Sequence, residues 1–64
     1  MISLIIPSYN EQDNIARTYD AISKILTDAH IEFEIIFVDD GSIDNTYVNI
    51  VKLAQSKPNV KGLS

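Results

Sequence analysis

The sequence predicts an α/β fold built on a parallel sheet, in the order strand, helix, strand, helix, strand start. Three observations carry that reading. Two short runs, Ile2 to Pro7 and Phe33 to Val38, are nearly all apolar, as strands buried on both faces are. Each run is followed by a polar turn and then by a segment with helical periodicity. Alternation of this kind implies parallel pairing through right-handed crossovers.

The first strand, "ISLIIP", is rich in β-branched residues and is stopped by Pro7. The turn "SYNEQDN" follows. Asn10 is expected to cap the first helix, with Asp13 three residues later in a capping-box-like place, and Glu11 and Asp13 complement the helix dipole. Ile15, Tyr19, Ile22, Leu26 and Ala29 then recur at steps of four, three, four and three, one apolar stripe on a helix of roughly 16 residues. His30 comes next, as a dipole partner at the helix end or a surface residue.

The second strand, "FEIIFV", runs into Asp39, Asp40 and Gly41, with Ser42 or Asp44 expected to cap the second helix. That helix carries Tyr47, Val48, Ile50, Val51, Leu53 and Ala54 and ends before Lys57-Pro58-Asn59. Tyr19 and Tyr47 lie on helix stripes and are read as packing residues. "VKGLS" at the C-terminus is the start of a third strand.

Composition narrows the possible functions. At 64 residues the chain is near the lower limit for independent folding, because below about 70–80 residues a core rarely supplies more than roughly 3–5 kcal/mol. It has no cysteine, which excludes disulfides and thiolate metal sites. The net charge is −4, and Arg17, Lys24, Lys52, Lys57 and Lys61 form no patch, so nucleic acid is not an expected partner. No apolar stretch approaches the roughly 18 residues of a bilayer span. Met1 is followed at once by a strand rather than a basic leader, so the chain is expected to be soluble and cytoplasmic. Two or three parallel strands with two helices leave a sheet edge unpaired. Residues 1–64 therefore read as the front end of a larger domain, and on their own are expected to self-associate through the open edge.

In open α/β sheets, ligands bind beyond the carboxyl ends of the strands. Both such ends carry polar clusters here: Pro7-Ser8-Tyr9-Asn10-Glu11 and Asp39-Asp40-Gly41-Ser42. Adjacent parallel strands bring them together. Neither loop has the glycine spacing of a phosphate cradle, and Glu11, Asp39, Asp40 and Asp44 have no cation beside them in sequence. A bare diphosphate is repelled by such loops, whereas the uncharged end of a nucleotide, or a metal, is not. Tyr9 offers a stacking face for a base, Asp40 accepts from its ring N–H, Glu11 accepts from ribose, and Pro7 stiffens the loop.

"LIIPSYNEQDNI" followed by "EIIFVDDGSIDNT" resembles the N-terminus of nucleotide-sugar-dependent glycosyltransferases of the GT-A fold. The likeness is to the inverting family that contains dolichol-phosphate mannose synthases and bacterial polyprenyl-phosphate (bactoprenol) glycosyltransferases, and it covers nearly the whole chain. It implies a partial Rossmann-like sheet and a UDP- or GDP-sugar donor. The implied acceptor is a lipid phosphate or a saccharide. By the same likeness Pro7, Tyr9, Glu11, Val38 and Asp40 line the nucleotide pocket, with Asp39 beside them. It further implies Mg²⁺ or Mn²⁺ held by a D-x-D motif beyond Ser64, a catalytic base further on, and a working place at the inner face of the membrane for the full-length protein.

Two other readings compete. A receiver-type phosphoacceptor domain also gathers acidic residues at strand ends, but it places its acidic pair after the first strand, where this chain has "PSYN". An inactive, truncated fragment whose loops only cap helices is the second. Ligand binding separates it from the donor-binding reading.

Overall fold

The computed structural model describes residues 1–64. Strand β1 spans Ile2–Ser8, helix α1 Ile15–Asp28, strand β2 Phe33–Asp39, helix α2 Thr46–Ser56 and strand β3 Val60–Leu63. The three strands form one parallel sheet in the order β1-β2-β3. This is the parallel α/β architecture that the alternation predicts and the partial Rossmann-like sheet that the resemblance implies, with β1 and β2 each one residue longer than their apolar runs.

The register puts Leu4 beside Ile35, Ile6 beside Phe37 and Ser8 beside Asp39, while Ile35 pairs with Val60. Side chains alternate across a strand, so these residues share one face. Both helices pack there. Ile15 and Tyr19 of α1, Ile50 of α2, Ile35 and Phe37 of β2 and Val60 of β3 form a single buried cluster, flanked by Leu4, Ile6, Ile22, Phe33, Leu53 and Ala54. The α1 stripe is thus seated on the sheet through its first turns, and its last member, Ala29, is exposed. Only 8 of 64 residues are fully buried. At about 1.5–3 kcal/mol for each large apolar side chain buried, so small a core leaves hydrogen bonds in the loops a substantial part in holding the fold.

The opposite face carries Ser3, Ile5, Pro7, Glu34, Ile36, Val38, Lys61 and Leu63, and no element of this chain covers it. At its amino end the Ser3 hydroxyl donates to Glu34 Oε1 at 2.6 Å, and Lys61 Nζ lies 3.4 Å from Glu34 Oε2. These partners hold the Glu34 carboxyl below its ordinary range, the Ser3 hydrogen bond foremost and Lys61 after it. The rest of the face is apolar. Ile5 is 67% exposed and Leu63 56%.

Tyr19 packs as expected, and its hydroxyl donates to Asn59 Oδ1 at 3.2 Å while Lys57 Nζ stands 5.7 Å from the ring centroid. Tyr47, also expected to pack, is exposed instead, at 36%. Gly62 permits a close approach: a Cβ there would lie 2.5 Å from Ile50 Cγ2.

The start of α1 differs from the sequence expectation. Asn10 does not cap it, and Asp13 forms no capping box. The helix begins at Ile15 behind Asn14, whose carbonyl accepts from Thr18 N at 2.8 Å and whose side chain makes no capping bond. Residues 11–14 close their own turn, with Asn14 N donating to Glu11 O at 2.9 Å. The reason is that the Glu11 and Gln12 amides are claimed by side chains of the other loop, which holds this segment across the sheet end. The first turn of α1 accordingly has no acidic residue.

The end of α1 is also particular. His30 N donates to Thr27 O at 3.0 Å and Ile31 N to Leu26 O at 2.9 Å, the paired bonds of a Schellman cap. His30 takes the left-handed position, φ 58°, where glycine is usual.

Candidate functional site

Strands β1 and β2 end side by side, and the Asp40 N–H donates to Ser8 O at 3.0 Å, one step past the last strand pair. The two following loops are then laced together. Asn10 N donates to Ser42 Oγ at 2.9 Å and Asn10 Oδ1 accepts from Ile43 N at 3.0 Å. Glu11 N donates to Thr46 Oγ1 at 2.7 Å, and Gln12 N to Asp44 Oδ2 at 3.3 Å. Gln12 Oε1 accepts from Asn45 N at 3.0 Å, and Gln12 O from Asn49 Nδ2 at 2.7 Å. Two loops from distant parts of the sequence form one surface.

Turn chemistry explains each loop locally. In the first, Asn10 sits at φ 50°, a left-handed conformation that asparagine tolerates. In the second, Gly41 has φ 77° with nothing within 4 Å of where a Cβ would stand. The reversal there needs the backbone freedom of glycine, not its small size. Asp39 Oδ1 accepts from Ser42 N at 3.2 Å and so supports the turn. Asp44 Oδ1 accepts from the N–H of Thr46 at 2.9 Å and from its hydroxyl. Neither of the two residues expected to cap α2 is its N-cap, which is Asn45 and makes no side-chain capping bond; Asp44, one residue earlier, accepts from the Thr46 amide instead. Ser42 lies outside the helix start and joins the loops instead. The Thr46 side chain comes first among the partners that hold the Asp44 carboxyl below its ordinary value, against an opposing contribution from desolvation.

The residues expected to meet a ligand fall into two groups. Tyr9, Glu11 and Asp40 are exposed on the loops. The Tyr9 hydroxyl and the Glu11 and Asp40 carboxylates engage no partner within the chain, unlike Asp39 and Asp44. Pro7 and Val38 are register partners on the uncovered face of the sheet, Pro7 exposed and Val38 half-buried. Asp39 stands at the end of β2, half-buried and turned to the Ser42 amide. The adjacent aspartates therefore differ: Asp39 is tied into the turn, and Asp40 is free to accept.

The larger cavity, about 410 Å³, lies between α1 and α2 and is lined by Gln12, Asp13, Ala16, Asn49, Lys52 and Leu53 among others. None of Tyr9, Glu11 or Asp40 lines it, so the candidate surface is an open one formed by the loops. No group of three or more His, Asp or Glu side chains converges as metal ligands. With Asp39 and Asp44 turned to backbone amides, these residues do not fit a divalent ion.

Sequence reasoning missed Gln12, whose backbone and side chain together bond Asp44, Asn45 and Asn49. Thr46 opens α2, and its wholly buried side chain also accepts from the opposite loop. No local pattern marks either role.

Residues 3–64 match the family model described as glycosyl transferase family 2. The chain is 41% identical over its whole length to CsbB of Bacillus subtilis (strain 168), named as a glycosyltransferase, and covers 20% of that protein. It is 38% identical over 60 residues to an uncharacterized glycosyltransferase of Synechocystis sp., covering 94% of this chain and 19% of that one. Over 48 residues, 70% of the chain, it is 48% identical to the undecaprenyl-phosphate 4-deoxy-4-formamido-L-arabinose transferase of Yersinia pestis (strain Pestoides F), covering 14% of it. The chain thus spans a fifth or less of the length of these relatives.

Proposed function

Since the chain belongs to glycosyl transferase family 2, we propose that its two laced loops hold the nucleoside end of a UDP- or GDP-sugar. In the whole enzyme the sugar passes to a polyprenyl phosphate or a saccharide acceptor. The observation that carries this reading is the pairing of Tyr9 and Glu11 with Asp40 on one surface at the carboxyl ends of β1 and β2, with their polar groups free. Tyr9 stacks on the base, Asp40 accepts from a ring N–H, and Glu11 accepts from ribose. Pro7 and Val38 form the floor at the strand ends, and Asp39 holds the turn that presents Asp40.

The remainder of the reaction belongs to other parts of a longer protein. The acidic loops favour a neutral nucleoside over a bare diphosphate, so neutralising the diphosphate and activating the acceptor fall to groups outside residues 1–64. These residues bind donor and do not turn it over alone. In this reading the full-length protein works at the cytoplasmic face of a membrane, although no helix in the structure is long and apolar enough to cross one. Studied alone, the chain pairs with a second copy through an open sheet edge.

A chemical-shift titration of the folded chain with UDP and GDP, with and without Mn²⁺, tests the reading. Shifts clustered at Tyr9, Glu11 and Asp40 support it and identify the base. A folded chain showing none up to millimolar ligand overturns it.

A further inference from the structure

The Thr46 hydroxyl is wholly buried and works in both directions, accepting from Glu11 N at 2.7 Å and donating to Asp44 Oδ1. Asp44 completes the arrangement by accepting from Thr46 N at 2.9 Å through Oδ1 and from Gln12 N at 3.3 Å through Oδ2. One carboxylate therefore anchors two successive amides of the first loop, one directly and one through a hydroxyl. Hydrogen bonds in series to an ionised acceptor polarise and strengthen one another. The anchored amides are those of Glu11 and of the residue after it, and Asn10, in its left-handed conformation, immediately precedes them.

We propose that Asp44 and Thr46 are positioning residues for the donor site, fixing the first loop so that Tyr9 and Glu11 are presented beside Asp40. The proposal rests on the nucleoside reading above. Neither residue touches the ligand. Their effect passes through the Glu11 and Gln12 backbone.

The competing account is that the pair only starts α2, and one substitution separates the two. Asparagine offers a helix-start amide a carbonyl oxygen as aspartate offers a carboxylate, so Asp44→Asn keeps an oxygen for Thr46. Its amide NH₂ replaces Oδ2 and cannot accept from Gln12 N. Thr46→Ser retains the hydroxyl, and Thr46→Val keeps the shape without it.

The test measures amide hydrogen exchange and UDP and GDP binding on the folded chain and these three variants. Asp44→Asn is expected to speed exchange at Gln12, to leave the α2 amides protected, and to weaken nucleotide binding about tenfold, the scale of one charge-assisted hydrogen bond. Thr46→Val is expected to release the Glu11 amide, and Thr46→Ser to restore both protection and binding. Unchanged exchange at Glu11 and Gln12, or a loss spread evenly through α2, overturns the positioning role. If the wild-type chain binds neither nucleotide, the nucleoside reading fails, and with it the role assigned at the donor site. Selective exchange at Glu11 and Gln12 would then show a loop anchor without a ligand.

Discussion

Glu11 and Thr46 are 35 residues apart in sequence, yet the backbone N–H of one donates to the side-chain hydroxyl of the other at 2.7 Å. Because Thr46 is wholly buried, this bond cannot be exchanged for water without opening the loops. Thr46→Val leaves the Glu11 amide unpaired and removes a donor to Asp44, and is expected to cost about 1–3 kcal/mol. Thr46→Ser keeps the hydroxyl and is expected to cost less than about 1.5 kcal/mol, on the scale of a lost buried methyl. Urea unfolding of the two variants measures the difference.

Acid is expected to loosen the same contact. The Asp44 carboxyl is held below its ordinary 3.8, chiefly by the Thr46 side chain, and Glu34 below 4.5, chiefly by Ser3. A carboxylate whose pKa is depressed on folding stabilises the fold above its unfolded value, and that contribution disappears as pH falls through the folded value. Stability from these two groups should therefore be constant between neutrality and about pH 5 and fall below pH 4. Asp44→Asn should lie below wild type at pH 7, with the gap closing as acid below the ordinary 3.8 protonates Asp44. A gap that does not change with pH would show that the charge on Asp44 is not what matters.

The parts of this fold that were legible in sequence are those written in local pattern. Apolar runs placed the strands, and the four-three spacing from Ile15 placed the apolar face of α1. The start of α1 was not legible, because the groups that claim the Glu11 and Gln12 amides sit on the other loop. Asn10 and Asp13 look like a cap only while Thr46 and Asp44 are left out of view. Asp40 and Asp39 are identical letters, and it takes the fold to separate them, with Asp39 half-buried and bonded to Ser42 N and Asp40 exposed. His30 gave no sign of a left-handed cap, since glycine or asparagine is the usual signal there.

The two glycines are expected to fail differently. Gly41→Ala meets no atom but forces alanine to φ 77°, at about 1–2 kcal/mol. Gly62→Ala places a methyl against Ile50 Cγ2 on a stiff, β-branched side chain in α2, and overpacking of this kind costs about 1–3 kcal/mol. Ile50→Leu removes the branch, so it should partly rescue Gly62→Ala and leave the cost of Gly41→Ala unchanged. A double-mutant cycle measures the coupling.

Replacing His30 by glycine should stabilise the chain. The left-handed conformation costs a side chain about 1–2 kcal/mol, while glycine loses roughly 0.5–1 kcal/mol more entropy on folding. A net gain of about 0.5–1 kcal/mol follows, provided the bonds from His30 N and Ile31 N are retained. Thermal unfolding at fixed pH reads it directly, and a lower midpoint for the glycine variant would rule out strain at His30.

The donor-site reading predicts variants that bind poorly and fold normally. Tyr9 is 57% exposed, and its hydroxyl and the Asp40 carboxylate have no partner within the chain. Exposed, unpartnered side chains usually change stability by less than about 0.5 kcal/mol when replaced. Stacking of a base on an aromatic ring is worth about 1–3 kcal/mol, so Tyr9→Ala should weaken UDP or GDP binding roughly tenfold or more. Asp40→Asn exchanges an acceptor for a donor at the base edge and should weaken it by a similar factor. Asp39→Asn keeps an oxygen for Ser42 N and should have the smaller effect. Calorimetric titration alongside urea unfolding separates the two quantities. Equal losses of binding and stability in Asp40→Asn would make Asp40 a structural residue and remove the central acceptor from the proposed site.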